Sequence, residues 1–196
     1  MATPTEAAGI SFERVGDYAA ARLTQRLEDC PDCGGTGLIR TTTKQNGREY
    51  ETVAPCARAG LLRRANSFSA ARLPAVQSLA TLDSYKPSNA EQHRALQVAR
   101  EFAFRWPQLR GFVLSGPVGT GKTHLLCATL KHLAIELGVK VSYVEISLLY
   151  SQIRRGFQDG KSGGEIIGPL STVDVLAIDE LGKGRGSSSS SRRSMS

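Results

Sequence analysis

The chain has 196 residues, 40% of them hydrophobic, and a formal charge of +7. That is enough apolar material for one sizeable core and excludes a chain too polar to fold, while a moderate basic excess suits an acidic partner such as nucleic acid without demanding one. No apolar run approaches the ~18 residues that a bilayer span needs, and the start lacks the basic-then-apolar order of a secretory signal, so a cytoplasmic protein without membrane contact is expected.

From Ser11 to Asp29 the apolar residues Val15, Tyr18, Ala19, Leu23 and Leu27 recur at three- and four-residue steps, which predicts a short amphipathic helix. Cys30-Pro-Asp-Cys33-Gly-Gly-Thr-Gly37 is a glycine-dense turn, and a polar stretch from Thr41 to Tyr50 leads to Pro55-Cys56, together a small two-armed knuckle. Residues 58 to 72 place Arg58, Arg63, Arg64 and Arg72 among alanines and leucines, consistent with a basic helix or linker whose charges face solvent. Ser88 to Phe104 reads as a helix capped by Asn89, with Ala95, Leu96, Ala99 and Phe102 as its apolar face.

The pattern then changes. Gly111-Phe-Val-Leu-Ser115 is expected to be a short buried strand, Lys122 to Leu137 a long apolar helix stopped by Gly138 in the left-handed region, and Val139 to Ile146 a second strand. Ser147 to Phe157 makes a helix with Leu148, Leu149 and Ile153 facing inward, followed by a glycine-rich loop from Gln158 to Gly164. Val173 to Ile178 is a third strand, ending in Asp179-Glu180. Strands alternating with helices give an α/β class with a parallel sheet flanked by helices. The serine-rich end has nothing to bury and is expected to be disordered. These shifts divide the chain into an N-terminal region (1–73), an α/β domain (74–185) and a tail (186–196).

Gly116-Pro117-Val118-Gly119-Thr120-Gly121-Lys122-Thr123 fits G-x-x-x-x-G-K-[ST] between an apolar segment and a helix, where a phosphate loop must stand. Its glycines let backbone N–H groups approach phosphate oxygens, and the helix start adds a favourable partial charge. Lys122 is expected to reach the outer phosphates of ATP, and Thr123 to ligate magnesium. The apolar run Val175 to Ile178 delivers Asp179, expected to hold that magnesium, and Glu180, expected to act as general base on the attacking water. His124 follows the loop directly and is expected to be structural or to face the nucleotide's surroundings; Cys127 reads as core packing.

Cys30, Cys33 and Cys56 supply three of the four ligands of a zinc site. A cysteine at position 58 would complete it, but Arg58 stands there, leaving Asp29, Asp32, His93 or water as substitutes, or an empty site. Such spacing in a reducing compartment favours a metal over a disulfide.

Gly116 to Leu125, Ile178-Asp179-Glu180-Leu-Gly182, and Leu82-Asp-Ser-Tyr85 with Asn89 and Gln92 together resemble the DnaC-type helicase loaders and the IstB-type transposition ATPases, a branch of the AAA+ ATPases, over about residues 74 to 185. The resemblance implies an ATPase that oligomerises around nucleotide and DNA and positions a replicative helicase or a transposase. It assigns function to Lys122, Thr123, Asp179 and Glu180, sets Tyr85, Asn89 and Gln92 beside the adenine, and supports zinc, since relatives carry a cysteine knuckle ahead of the ATPase. That fold also expects a sensor strand, an arginine finger and a helical lid after the acidic pair, which this sequence does not carry. The sensor strand would stand in mid-sheet, so impaired hydrolysis and an unstable isolated chain are expected. A non-catalytic adaptor, binding DNA (single-stranded by expectation) or a helicase through the cysteine- and arginine-rich region, is the competing reading.

Overall fold

The computed structural model describes residues 9–182, so the serine-rich tail and the basic Lys183 and Arg185 lie outside the described residues. Two compact units result: residues up to Tyr143 with Val173–Ala177, and Val144–Thr172 with the residues from Ile178.

The first unit starts with a hairpin of β1 (Ile10–Val15) and β2 (Tyr18–Leu23), antiparallel with Val15 opposite Tyr18. This replaces the helix expected from Ser11 to Asp29. Gly16 and Asp17 form a two-residue connection with Gly16 at φ 57°, the geometry that turns a right-twisted strand pair back on itself. The residues that bury best, Ile10, Ala19 and Ala21, then follow a period of two. A second hairpin, β3 (Leu38–Gln45) with β4 (Arg48–Pro55), turns on Asn46 and Gly47 at φ 52° and 76°. Among the described residues neither of its strands pairs with any other.

Helix α1 (Ala57–Ala70) occupies the arginine-rich segment, but it is not merely a solvated rod. Ala65 and Phe68 are fully buried, Phe68 meets the Phe12 ring edge-on at 5.2 Å, and Ser69 Oγ receives the Ala21 amide at 2.9 Å. Helix α2 (Ala90–Phe104) is capped as its sequence predicts, with the Asn89 side chain accepting from the Gln92 amide. Helix α3 (Lys122–Glu136) ends before Gly138, which takes φ 71°. One core joins Ile10, Ala19, Phe68 and Leu73 to Phe102, Cys127, Leu130 and Leu133, so α3 packs against the N-terminal hairpin and α1. A second core, from Leu82, Tyr85, Leu96 and Ala99 to Leu125 and Ala128, packs α2 and the segment before it on α3.

Strands β5 (Val141–Glu145) and β6 (Val175–Asp179) are hydrogen-bonded neighbours. The Lys140 carbonyl accepts the Asp174 and Val175 amides, so both strands leave from one end and run parallel. The strand expected at Gly111–Ser115 does not form: no described strand lies alongside it, and Val113 is 86% exposed. Phe112 and Leu114 still pack against the cores, so the segment is anchored by its side chains while its backbone has no ladder.

In the second unit, α4 (Ile146–Gln158) half-buries Leu149 and Ile153 but leaves Leu148 51% exposed, against the expectation that all three face inward. The loop expected through Gly164 stops early. Ser162 and Glu165 form a reciprocal capping box that starts a short helix, α5 (Gly163–Ile167), which a 3-10 turn follows at Gly168–Thr172. No helix among the described residues is long and apolar enough to cross a membrane.

Candidate functional site

The glycine loop opens directly into α3. Gly116, Gly119 and Gly121 lie at φ 149°, 83° and 83°, which ordinary side chains rarely adopt. Gly121 is the N-cap residue and no side chain caps the helix, and a helix start of this kind favours an anionic acceptor. Lys122 Nζ folds back over the loop, donating to the carbonyls of Gly116 at 2.9 Å and Pro117 at 2.6 Å. The Thr120 hydroxyl donates to the Pro117 carbonyl at 2.9 Å and closes the turn. The arrangement gathers an ammonium group and a helix start in one exposed cradle, which suits a polyanion. Val118 projects into solvent at its tip, and Thr123 lies in the first turn of α3.

The segment before α2 braces this cradle from behind. The Tyr85 hydroxyl donates to the Thr120 carbonyl at 2.8 Å. Its ring fills the space beside Gly121, where a Cβ would meet Tyr85 Cε2 at 2.5 Å. His124 Nε2 lies 3.0 Å from the Thr81 carbonyl and 3.2 Å from Ser84 Oγ, with its ring 5.5 Å from that of Tyr85. Asp83 takes an ion pair from Arg100 of α2 at 2.6 Å. Gln92 accepts from both the amide and the hydroxyl of Ser88, and Asn89 is engaged as the α2 cap, so both polar side chains serve the start of that helix.

Two positions that sequence periodicity did not single out support α3. Lys131 is only 5% exposed, donates to the Ser78 carbonyl at 3.0 Å, and lies 3.5 Å from the centre of the Phe12 ring. Burial pushes its amine down to about 8 from an ordinary 10.5. Its position in an apolar run, one residue after Leu130 and two before Leu133, was the available signal. At the other end, Arg64 Nη1 donates to the carbonyls of Ile135 and Glu136 at 3.0 and 2.9 Å, capping the helix C-terminus with a cation. Cys127 is buried in the core, in line with its sequence reading.

β6 ends in its two carboxylates, Asp179 and Glu180, which fall in the second unit. Asp179 is buried, and its Oδ1 accepts the Glu180 amide at 2.8 Å. Glu180 takes φ 60°, a conformation a non-glycine residue holds only at a cost, and one that recurs at functional sites.

The cysteines form a separate centre. Cys30, Cys33 and Cys56 are buried, with their sulfurs within 4.8 Å of one another and Cys30 3.6 Å from Cys56. Burial pushes the Cys30 thiol up, yet the amides of Cys33 and Asp32 and the neighbouring thiols outweigh it and hold Cys30 below its usual range. Burial and the Cys30 contact raise Cys56 against the opposing amides of Arg58 and Ala59. Three buried soft donors converging within 4.8 Å fit a thiophilic cation. Of the substitutes for a fourth ligand, Asp32 sets its Oδ2 4.0 Å from Cys30 Sγ, which is hydrogen-bond reach to one sulfur and not convergence on all three. Arg58 turns away from the cluster, donating to Gln25 Oε1 at 2.9 Å and to the Arg26 carbonyl at 3.3 Å.

Comparison with known proteins agrees with the cradle. The family model of the IstB-like ATP binding proteins matches residues 57–189. The replicative helicase loader DnaC of Escherichia coli K12 is 27% identical over 123 residues, covering 62% of this chain and 50% of that protein. The uncharacterized protein YdaV of the same strain is 32% identical over 103 residues, 52% of this chain and 41% of its own length. DnaC of Buchnera aphidicola subsp. Baizongia pistaciae is 34% identical over 96 residues, 47% and 39%. The chain spans about half the length of the curated relatives it matches, or somewhat less. A phosphate-loop helix, a strand ending in an acidic pair and a family match over most of the chain lead to one conclusion: this chain belongs to the IstB-like ATP binding proteins.

Proposed function

We propose that this chain binds ATP with magnesium and acts as a helicase-loader-type subunit in DNA replication or transposition. The observation that carries the reading is the cradle itself: three glycines in special conformations, an uncapped helix start and the Lys122 ammonium meet in one place. Backbone N–H groups from Gly119 to Thr123 hold the phosphates, Lys122 leaves the Gly116 and Pro117 carbonyls for the outer phosphates, and Pro117 and Val118 shape the loop wall. Magnesium would neutralise and orient the phosphates; Thr123 and Asp179 are each proposed as ligands for it, and Glu180 as the general base that would take a proton from the attacking water. His124 and Tyr85 keep the loop in register. Hydrolysis is slow in the isolated chain, because the segment feeding the loop has no ladder partner among the described residues and is held by Phe112 and Leu114 without a sheet behind it.

The DnaC relatives are replicative helicase loaders by name, which supports a replicative helicase as partner, with a transposase as the counterpart on the IstB side. Single-stranded DNA as a further ligand, self-association around nucleotide, and a cytoplasmic location belong to the same reading. The cysteine centre takes zinc, which would act structurally by tying β3 and β4 to the start of α1. The adaptor reading has one observation in its favour: the β3–β4 hairpin pairs only with itself and exposes Arg40, Lys44 and Arg48.

Fluorescent ATP analogues titrated into the full chain test the main reading. Magnesium-dependent binding that Lys122→Ala abolishes is expected, and a folded chain that takes up no nucleotide refutes it. Partner binding that ignores nucleotide but collapses when Arg40, Lys44 and Arg48 are all changed to Ala would favour the adaptor.

A further inference from the structure

The cysteine centre has three ligands where a tetrahedral site takes four, and its two halves show where the fourth position is. Cys30 and Cys56 sit in matching turns. The Cys30 carbonyl accepts the Gly34 amide at 2.8 Å and the Cys56 carbonyl accepts the Gly60 amide at 3.0 Å, four residues on in each case. Matched turn for turn, Cys33 of the first corresponds to Ala59 of the second. Ala59 packs against the three cysteines, as this correspondence requires. Arg58 is committed elsewhere, to Gln25 and Arg26. Gly37 lies alongside, where a Cβ would sit 3.4 Å from Ala59 Cβ, so the backbone approaches Ala59 closely on that side.

We propose that Cys30-Pro-Asp-Cys33 and Cys56-Ala-Arg-Ala59 are the two knuckles of one metal centre for a thiophilic divalent cation, with three thiolates and a coordination position left open at Ala59 to an exchangeable nitrogen or sulfur donor. A methyl group cannot ligate, so the vacancy falls to water in the isolated chain and to an imidazole or thiol where one is supplied. This rests on the metal reading above and adds the place of the open position, which the Cys-x-Cys alternative at Arg58 contradicts.

Cobalt(II) bound to the full chain reports both, because its visible and thiolate charge-transfer bands depend on the number and kind of donors. One equivalent per chain is expected, with a spectrum that shifts when imidazole is added. Ala59→Cys should raise the charge-transfer absorption by about a third, as three thiolates become four, and abolish the imidazole response. Arg58→Cys should match the wild type in both. No cobalt uptake at all refutes the metal reading and the inference with it. Uptake without any imidazole response in the wild type, completion of the site by Arg58→Cys, or a folded Ala59→Cys chain with an unchanged spectrum refutes the open position at Ala59 and leaves the metal reading standing. The imidazole titration needs no variant, so misfolding of Ala59→Cys would not shield the proposal.

Discussion

Replacing Gly121 by Ala tests whether Tyr85 braces the phosphate loop. Gly119 and Gly121 share a φ of 83°, so an added Cβ costs the backbone about 1–2 kcal/mol at either. Their surroundings differ. Nothing lies within 4 Å of a Cβ at Gly119, whereas one at Gly121 would stand 2.5 Å from Tyr85 Cε2 and 3.4 Å from Cδ2 and Cζ. Tyr85 is buried and tied by its hydroxyl to the Thr120 carbonyl, so its ring cannot swing clear without losing that bond. Overpacking of this kind costs about 1–3 kcal/mol more. Urea unfolding of the full chain should therefore show Gly119→Ala losing about 1–2 kcal/mol and Gly121→Ala about 2–5 kcal/mol. In a double-mutant cycle, Tyr85→Ala should make Gly121→Ala less damaging by about 1–3 kcal/mol while leaving the cost of Gly119→Ala unchanged. Equal losses at the two glycines, or no coupling between Gly121 and Tyr85, would refute the brace.

Lys131 should make stability depend on alkaline pH. Its folded-state value of about 8 lies below the ordinary 10.5, so below about 8 both states keep the proton and the folded chain bears the full cost of burying it. Between about 8 and 10.5 the unfolded state holds more protons, and stability rises with pH by at most roughly 3 kcal/mol, an upper bound because the Phe12 ring favours the charged amine. Lys131→Met should lack this rise, and parallel stability–pH curves for the two chains would exclude it. Arg64→Ala should remove the cation from the C-terminus of α3, costing about 1 kcal/mol and speeding amide exchange at Leu137 and Val139, with Arg64→Lys intermediate; unchanged exchange would show the contact to be idle.

Features written in short-range chemistry were legible in the sequence alone. The phosphate loop needs glycines at set offsets before a helix, the Asn89 cap needs a short acceptor before α2, and Gly138 needs only freedom from a Cβ. The acidic end of β6 follows from an apolar run that stops in Asp-Glu. The first hairpin is not legible in the sequence because alanines, tyrosine and leucine at mixed spacing satisfy a helical period as readily as an alternating one, and the Gly16-Asp17 turn and the buried Phe68 decide between them.

Only the tertiary structure decided what depends on partners distant in the chain. The segment Gly111–Ser115 has a strand's composition, yet a strand exists only where a neighbour accepts its hydrogen bonds, and no described strand does so. Lys131 over Phe12, Arg64 at the end of α3 and Tyr85 behind Gly121 all join residues tens of positions apart. Periodicity reports which face of an element is apolar; it carries no information about which side chain from elsewhere arrives there, because that choice is made by packing and not by local backbone preference.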